Sequence, residues 1–139
     1  MGEISRRSFV KSTAAGAAVG LGLLGTSKTA WAGANERINV CVMGINGRGR
    51  SHLENYGKIP NAQVTTICDV DSRLFKPCRE KFAAQGLPEP KCEQDFRKVL
   101  EDPDVDVISI ATPNHWHSLA TIWACQAGKD VYVEKPMTH

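Results

Sequence analysis

A short apolar run, Ile38-Asn39-Val40-Cys41-Val42-Met43, breaks into the glycine-rich turn Gly44-Ile45-Asn46-Gly47-Arg48-Gly49, and a polar, helix-compatible segment follows at once. Few local patterns restrict a chain more. Glycine at the first and last places of such a turn permits a tight bend and a close strand–helix approach, and the free N–H groups at the helix start form an anion site. Gly44 and Gly49 fill those places. Asn46 stands where a dinucleotide-binding fingerprint carries its middle glycine, although Asn tolerates a left-handed backbone and Gly47 follows directly.

Beyond this turn the alternation repeats. Residues 48–58 read as a helix, and 64–68 as a second strand ending at Asp69. Asp71 and Ser72 read as caps of a helix reaching about Gln85, which Pro77 must kink or delay. A short strand is predicted around Lys91 and Cys92, then a small helix from Asp95 to Leu100. The apolar run 105–111 has the character of a strand buried on both faces. Asn114 reads as the cap of an amphipathic helix through Ala127, ended by Gly128, and 130–133 as a fifth strand. Trp116 and Trp123, seven apart, read as one packed helix face. Five strands joined by helical crossovers imply an α/β fold, a doubly wound parallel sheet of the Rossmann type, with ligand-binding residues at the carboxyl ends of the strands.

The chemistry-bearing residues fall at those ends. Asp69 closes the second strand at the distance from Gly49 where a carboxylate accepts from the adenosine ribose hydroxyls and repels a 2′-phosphate. That spacing favours NAD over NADP; Arg48 and Arg73 leave room for the latter, and Asp69 also suits a plain strand-end cap. Thr112-Pro113-Asn114-His115-Trp116-His117 follows the fourth strand and Glu134-Lys135-Pro136 the fifth. From spacing alone Lys135 is equally a site residue or a solvated surface cation. His115 and His117 form an H-x-H with no third ligand nearby, which gives no metal site.

Composition narrows the partners. A chain of 139 residues with 42% hydrophobic and 23% charged residues is an ordinary globular mix with room for one domain. The formal charge of +2 comes from positions 1–32, which hold four bases and one acid; positions 33–139 have 13 bases against 14 acids and no basic stripe, so nucleic-acid binding is not supported. Five cysteines without C-x-x-C spacing read as mostly buried, reduced thiols.

Residues 1–34 have a different character. Ser5-Arg6-Arg7-Ser8-Phe9-Val10-Lys11 is basic, 14–25 is apolar and small, and Ala30-Trp31-Ala32 supplies an A-x-A cleavage site. This is the layout of a signal peptide, and the paired arginines followed by Phe and Lys resemble the twin-arginine consensus. The expectation is export to the periplasm by the twin-arginine machinery, with an uncleaved anchor as the alternative.

Taken together, Gly-x-Asn-Gly-Arg-Gly, Cys68-Asp69-Val70-Asp71, Thr112-Pro113-Asn114-x-x-His117 and Ala127-Gly128-Lys129-x-Val131-x-x-Glu134-Lys135-Pro136 with its following Met-Thr-His resemble the glucose-fructose oxidoreductase/inositol dehydrogenase family over about residues 37–139. The resemblance implies a nicotinamide cofactor with its phosphates on Gly44, Asn46, Gly47, Arg48 and Gly49 and its adenosine ribose on Asp69. Thr112, Pro113, Asn114 and His117 would lie along the cofactor near its nicotinamide end, with Glu134, Lys135 and Pro136 beside them. Lys135 would orient a sugar or polyol oxygen, and the Lys135–Pro136 bond would be cis as in some relatives. Members of that family continue into a second α/β domain that supplies substrate contacts, the proton-transfer partner and the oligomer interface. The chain is therefore expected to comprise a signal peptide (1–34) and an incomplete Rossmann domain (35–139), truncated before the substrate domain, from a homo-oligomeric exported oxidoreductase. Two alternatives stay open: an NAD-dependent glycoside hydrolase with a transient redox cycle, and a catalytically silent nucleotide-binding fragment.

Overall fold

The computed structural model describes residues 37–137. The leader at 1–34 lies outside the described residues, as do Thr138 and His139. Five strands form one parallel sheet: β1 (Ile38–Met43), β2 (Ala62–Cys68), β3 (Lys91–Glu93), β4 (Val107–Ile110) and β5 (Asp130–Val133), in the spatial order β3-β2-β1-β4-β5. Helices α1 (Arg48–Tyr56), α2 (Phe75–Ala84), α3 (Phe96–Glu101) and α4 (His117–Gln126) make the crossovers. Strand order reverses between β1 and β4, the place where open α/β sheets bind ligands.

The pleat of β1 explains the two-layer cover. Val40 and Val42 point to one face, where they pack with Ile45, Val64, Ile67, Cys78 and Phe82 under α1 and α2. Cys41 and Met43 point to the other, joining Ile108, Ile110, Phe96, Val99, Ala120 and Ala124 under α3 and α4. The last four residues of β1 and the last three of β4 are buried on both faces, which is why these strands lack an alternating pattern. The pairing of β1 with β2 shifts register between Val40 and Cys41, leaving Thr65 as the extra residue.

Pro77 delays the helix as expected: α2 begins only at Phe75, and the proline is its third residue, where the backbone N–H has no intrahelical partner. Two other local readings are adjusted. Asp71 does cap, but it caps a 3₁₀ turn at Ser72–Leu74 by accepting from Arg73 N. Asn114 is not the cap of α4: it opens a 3₁₀ turn at Asn114–Trp116 that has no side-chain cap, with Pro113 in the cap position. The five cysteines are free; three are buried, Cys92 is half-buried and Cys125 exposed.

The ladder continues past the carboxyl ends of the strands. Asp69 N donates to Glu93 O (3.1 Å), Gly44 N to Cys68 O (2.8 Å), Ala111 N to Met43 O (2.8 Å) and Glu134 N to Ile110 O (3.0 Å). Each loop that carries a chemically notable residue therefore leaves the sheet from a fixed point.

Candidate functional site at the carboxyl edge of the sheet

The glycine turn is shaped by sterics. Gly44 has φ +83°, and a Cβ there would stand 2.8 Å from Thr112 N and 2.9 Å from the Ala111 carbonyl. A Cβ on Gly49 would overlap the Gly44 carbonyl oxygen, so α1 is pressed directly against the end of β1. Gly47 (φ +57°) is different: open space surrounds it, and no side chain caps α1. The start of this helix is thus left open for an acceptor. Asn46 Oδ1 meets part of that demand, accepting from Gly47 N (3.0 Å) and Arg50 Nη2 (3.3 Å).

Asp69 is tied to the turn. Its Oδ2 accepts from Ile45 N (2.9 Å) and its Oδ1 from Asp71 N (3.0 Å). Each oxygen keeps a further lone pair, so the carboxylate serves as strand-end cap and still has acceptor capacity for hydroxyls. A cleft of about 750 Å³ opens beside it, lined by Gly44, Asp69, Arg97, Thr112, Pro113 and Trp116 among others, a size suited to a cofactor. Thr112 Oγ1 is buried without a hydrogen-bond partner. Cys68 also reaches this cleft, but burial, aided by nearby Glu93, pushes its thiol up to about 12, so it is not a thiolate nucleophile at neutral pH. Arg73 is held bidentate by its neighbour Asp71 (2.8 and 2.7 Å).

Across the sheet, the fourth and fifth strand ends are joined by side chains. His117 is buried, with Nδ1 2.7 Å from Pro136 O and Nε2 2.8 Å from Thr112 O, so one ring spans both loops. Glu134 Oε1 accepts from Arg48 Nε (2.8 Å) and His52 Nε2 (2.8 Å). These two hydrogen bonds, Arg48 first, pull the Glu134 carboxyl down to about 2. Lys135 is exposed and its bond to Pro136 is cis.

The structure therefore gathers Gly44, Asp69, Thr112 and Pro113 around one cleft, places Asn46, Gly47, Arg48 and Gly49 in the adjoining turn, and sets Glu134, Lys135 and Pro136 on the far side of β4. Asn114 stands at the start of the 3₁₀ turn that follows β4. Trp116, read from the sequence as core, is 37% exposed and lines the cleft; Trp123 does pack partly against the core but lines the cleft as well. His52 and its buried partner Ser109 (Nδ1–Oγ 2.8 Å) escape sequence reasoning. The available signals are the i, i+4 spacing of Arg48 and His52 and one hydroxyl inside an otherwise apolar strand.

The open helix start, the cradle that a Cβ would fill at Gly44, the doubly anchored Asp69 and the unpartnered Thr112 hydroxyl fit a dinucleotide: donors face phosphate, and acceptors face ribose. The comparisons agree. The family model described as "Oxidoreductase family, NAD-binding Rossmann fold" matches residues 38–139. A relative from Saccharopolyspora erythraea named as a glycosyl hydrolase family 109 protein is 31% identical over a 153-residue alignment covering 95% of this chain and 33% of the relative. Among solved structures, a probable dehydrogenase from Thermotoga maritima superposes with a TM-score of 0.65 at 30% identity, over 73% of this chain and 29% of that one. A levoglucosan dehydrogenase in complex with NADH and L-sorbose does so with a TM-score of 0.65 at 29% identity, over 74% and 28%. The chain spans roughly a quarter to a third of the length of the curated relatives it matches.

Proposed function

The chain belongs to the Gfo/Idh/MocA family of oxidoreductases and carries its NAD-binding Rossmann fold, and we propose that it is the cofactor-binding portion of an exported oxidoreductase acting on a sugar or polyol. The observation that carries this reading is the bond from Ile45 N to Asp69 Oδ2, which makes phosphate turn and ribose acceptor one unit beside a cofactor-sized cleft. Bound NAD supplies a hydride acceptor or donor at nicotinamide C4. The α1 N-terminus at Gly47, Arg48 and Gly49 binds the pyrophosphate, and Asp69 accepts from the adenosine ribose. The Asp69 carboxylate would repel a 2′-phosphate, and Arg73 is already paired bidentate with Asp71, in keeping with NAD. Thr112, Pro113 and Asn114 flank the cofactor, and Lys135, at the end of β5, orients the substrate oxygen. Proton transfer belongs to a second domain of the kind the resemblance implies. Support for a polyol or sugar comes from neighbours such as the NADH- and L-sorbose-bound levoglucosan dehydrogenase.

Export rests on the leader. Ser5-Arg6-Arg7 through Lys11 and the A-x-A site at Ala30 to Ala32 have the twin-arginine layout, and an alignment reaching 95% of this chain takes in most of those residues. A route that carries folded protein allows NAD to be bound before export and held afterwards. Exhaustive dialysis of the purified chain followed by acid release should recover bound NAD(H). A site that exchanges freely would speak against pre-loading, and a chain with no affinity for NAD would end the reading altogether. Replacing Arg6 and Arg7 by lysine should keep the protein in the cytoplasm.

The curated relatives named as glycosyl hydrolase family 109 proteins favour one second reading: hydrolysis of a glycoside with NAD oxidising and re-reducing the same sugar. Release of nitrophenol from nitrophenyl glycosides by the full-length protein without added cofactor would support it. NADH accumulation with a sugar or polyol would support the oxidoreductase.

A further inference from the structure

On the α1 side of β4 lies a polar system that the cleft does not use. His52, in the middle of α1, is 5% exposed. Its Nδ1 is 2.8 Å from Ser109 Oγ on β4, and its Nε2 is 2.8 Å from Glu134 Oε1 at the end of β5. The tautomer with hydrogen on Nε2 satisfies both partners: the Ser109 hydroxyl donates to Nδ1, and Nε2–H donates to the carboxylate. The same Glu134 oxygen accepts from Arg48 Nε, the first residue of α1 after the glycine turn. Tyr132 closes the pocket edge-on, its ring centroid 5.5 Å from the imidazole. Ser109 is fully buried, so the system is anchored in the sheet at one end and reaches the carboxyl edge at the other.

We infer that His52 is a positioning residue: by holding Glu134, it sets the Arg48 guanidinium at the phosphate turn and the adjoining Lys135 loop in register with each other. This inference rests on the nucleotide-site reading above. The path joins only the pyrophosphate and nicotinamide side of that site. The cleft beside Asp69, which takes the adenosine ribose, is lined from the ends of β1, β2, β3 and β4 and by Trp123, and none of Arg48, His52 and Glu134 lines it. A buried imidazole bonded on both ring nitrogens is well placed to transmit alignment, because replacing it leaves a carboxylate short of a donor in a half-buried site. A merely structural role would weaken every ligand alike; a positioning role weakens only those that reach past the adenosine.

The test compares two probes on the full chain, NAD⁺ and adenosine, by calorimetric or NMR titration. His52→Leu should weaken NAD⁺ about tenfold, the effect of one lost hydrogen bond to a charged group, while adenosine affinity stays within about twofold on the same scale. His52→Gln, which keeps an N–H donor toward Glu134, should recover most of the NAD⁺ affinity. Equal losses for both probes, or no loss for NAD⁺, would overturn the inference. Should His52→Leu fail to fold, Ser109→Ala removes one hydroxyl from the same system. A NAD⁺-selective loss there supports the inference, and unchanged NAD⁺ affinity overturns it. If the unaltered chain binds neither probe, the nucleotide-site reading falls and takes the inference with it.

Discussion

Around β1 and β2 the carboxyl edge is held by main chain and steric fit: Gly44 turns where only glycine fits, Gly49 lies against the Gly44 carbonyl, and Asp69 is bonded to backbone N–H groups on both sides. Around β4 and β5 it is held by side chains reaching across: His117 to the Thr112 and Pro136 carbonyls, and His52 and Arg48 to Glu134. The first half is rigid because it has no room; the second is rigid only while its hydrogen bonds are made. A pyrophosphate cradle needs fixed donors, so the first construction suits it. The loop after β5, which carries the exposed Lys135, is held by contacts that can be adjusted.

If that contrast is right, the glycine half should fail most severely. Gly49→Ala puts a methyl group into the Gly44 carbonyl, where neither strand nor helix can give way. Unfolding in urea should show a loss of about 3 kcal/mol, at the upper end for an overpacked site, and calorimetry should detect no NAD binding. A variant of near-normal stability that binds NAD would show that α1 can slide, and the steric account of this half would fail.

The side-chain half should break more gently. His117→Leu keeps the bulk but removes the ring that bridges the Thr112 and Pro136 carbonyls; a loss of about 1–2 kcal/mol follows from one partly buried hydrogen bond, since a neutral imidazole has a single N–H to donate. Adenosine affinity should fall less than NAD affinity, since Asp69 and the glycine turn on the other side of the cleft are held independently. Equal loss of both would mean the halves are coupled more tightly than their contacts suggest.

The difference between the halves also decides what the sequence can disclose. Glycine placement, the acid that closes the second strand and the apolar strand runs are local signals, and the doubly wound parallel sheet and the place of Asp69 at its carboxyl edge follow from them. For Asp69 the two competing readings, strand-end cap and free acceptor, prove compatible, because a carboxylate has lone pairs for both. Trp116 departs from its expected place because it lies in the 3₁₀ turn ahead of α4, at the carboxyl edge of the sheet, so its ring lines the cleft together with Trp123 instead of packing in the core. His52 leaves only faint traces in the sequence, because its partners Ser109, on β4, and Glu134, just after β5, are far from it along the chain. No periodicity within α1 records a hydroxyl on β4 or a carboxylate after β5.

Acid should probe the charged part of the second half. The Glu134 carboxyl, held down to about 2 by Arg48 and His52 from an ordinary value of 4.5, is depressed in the folded state. Its contribution is therefore fully present above about pH 4.5 and is lost as pH falls through about 2. Asp95, lowered to about 2 by Arg97, acts in the same window and is unchanged in a Glu134→Gln variant. The fall in urea midpoint between pH 6 and pH 3 should therefore be smaller in Glu134→Gln than in the unaltered chain. Identical falls would remove Glu134 from the account of this half.

The smallest expected effect falls on the one place where the first half departs from its own logic. Asn46 occupies the middle-glycine position, and its Oδ1 accepts from Gly47 N and Arg50 Nη2, so it occupies a backbone donor of the turn that a phosphate oxygen could use. Pyrophosphate must then displace one exposed, neutral acceptor before using that donor. Asn46→Gly removes the competitor and should raise NAD affinity about threefold, the equivalent of one weak hydrogen bond no longer broken on binding. Stability should fall by a few tenths of a kcal/mol from the added backbone freedom. Isothermal titration and a thermal melt read both. Weaker NAD binding in Asn46→Gly would reverse the assignment: the amide would then be a phosphate ligand in its own right, and the departure from glycine a gain rather than a tolerated substitution.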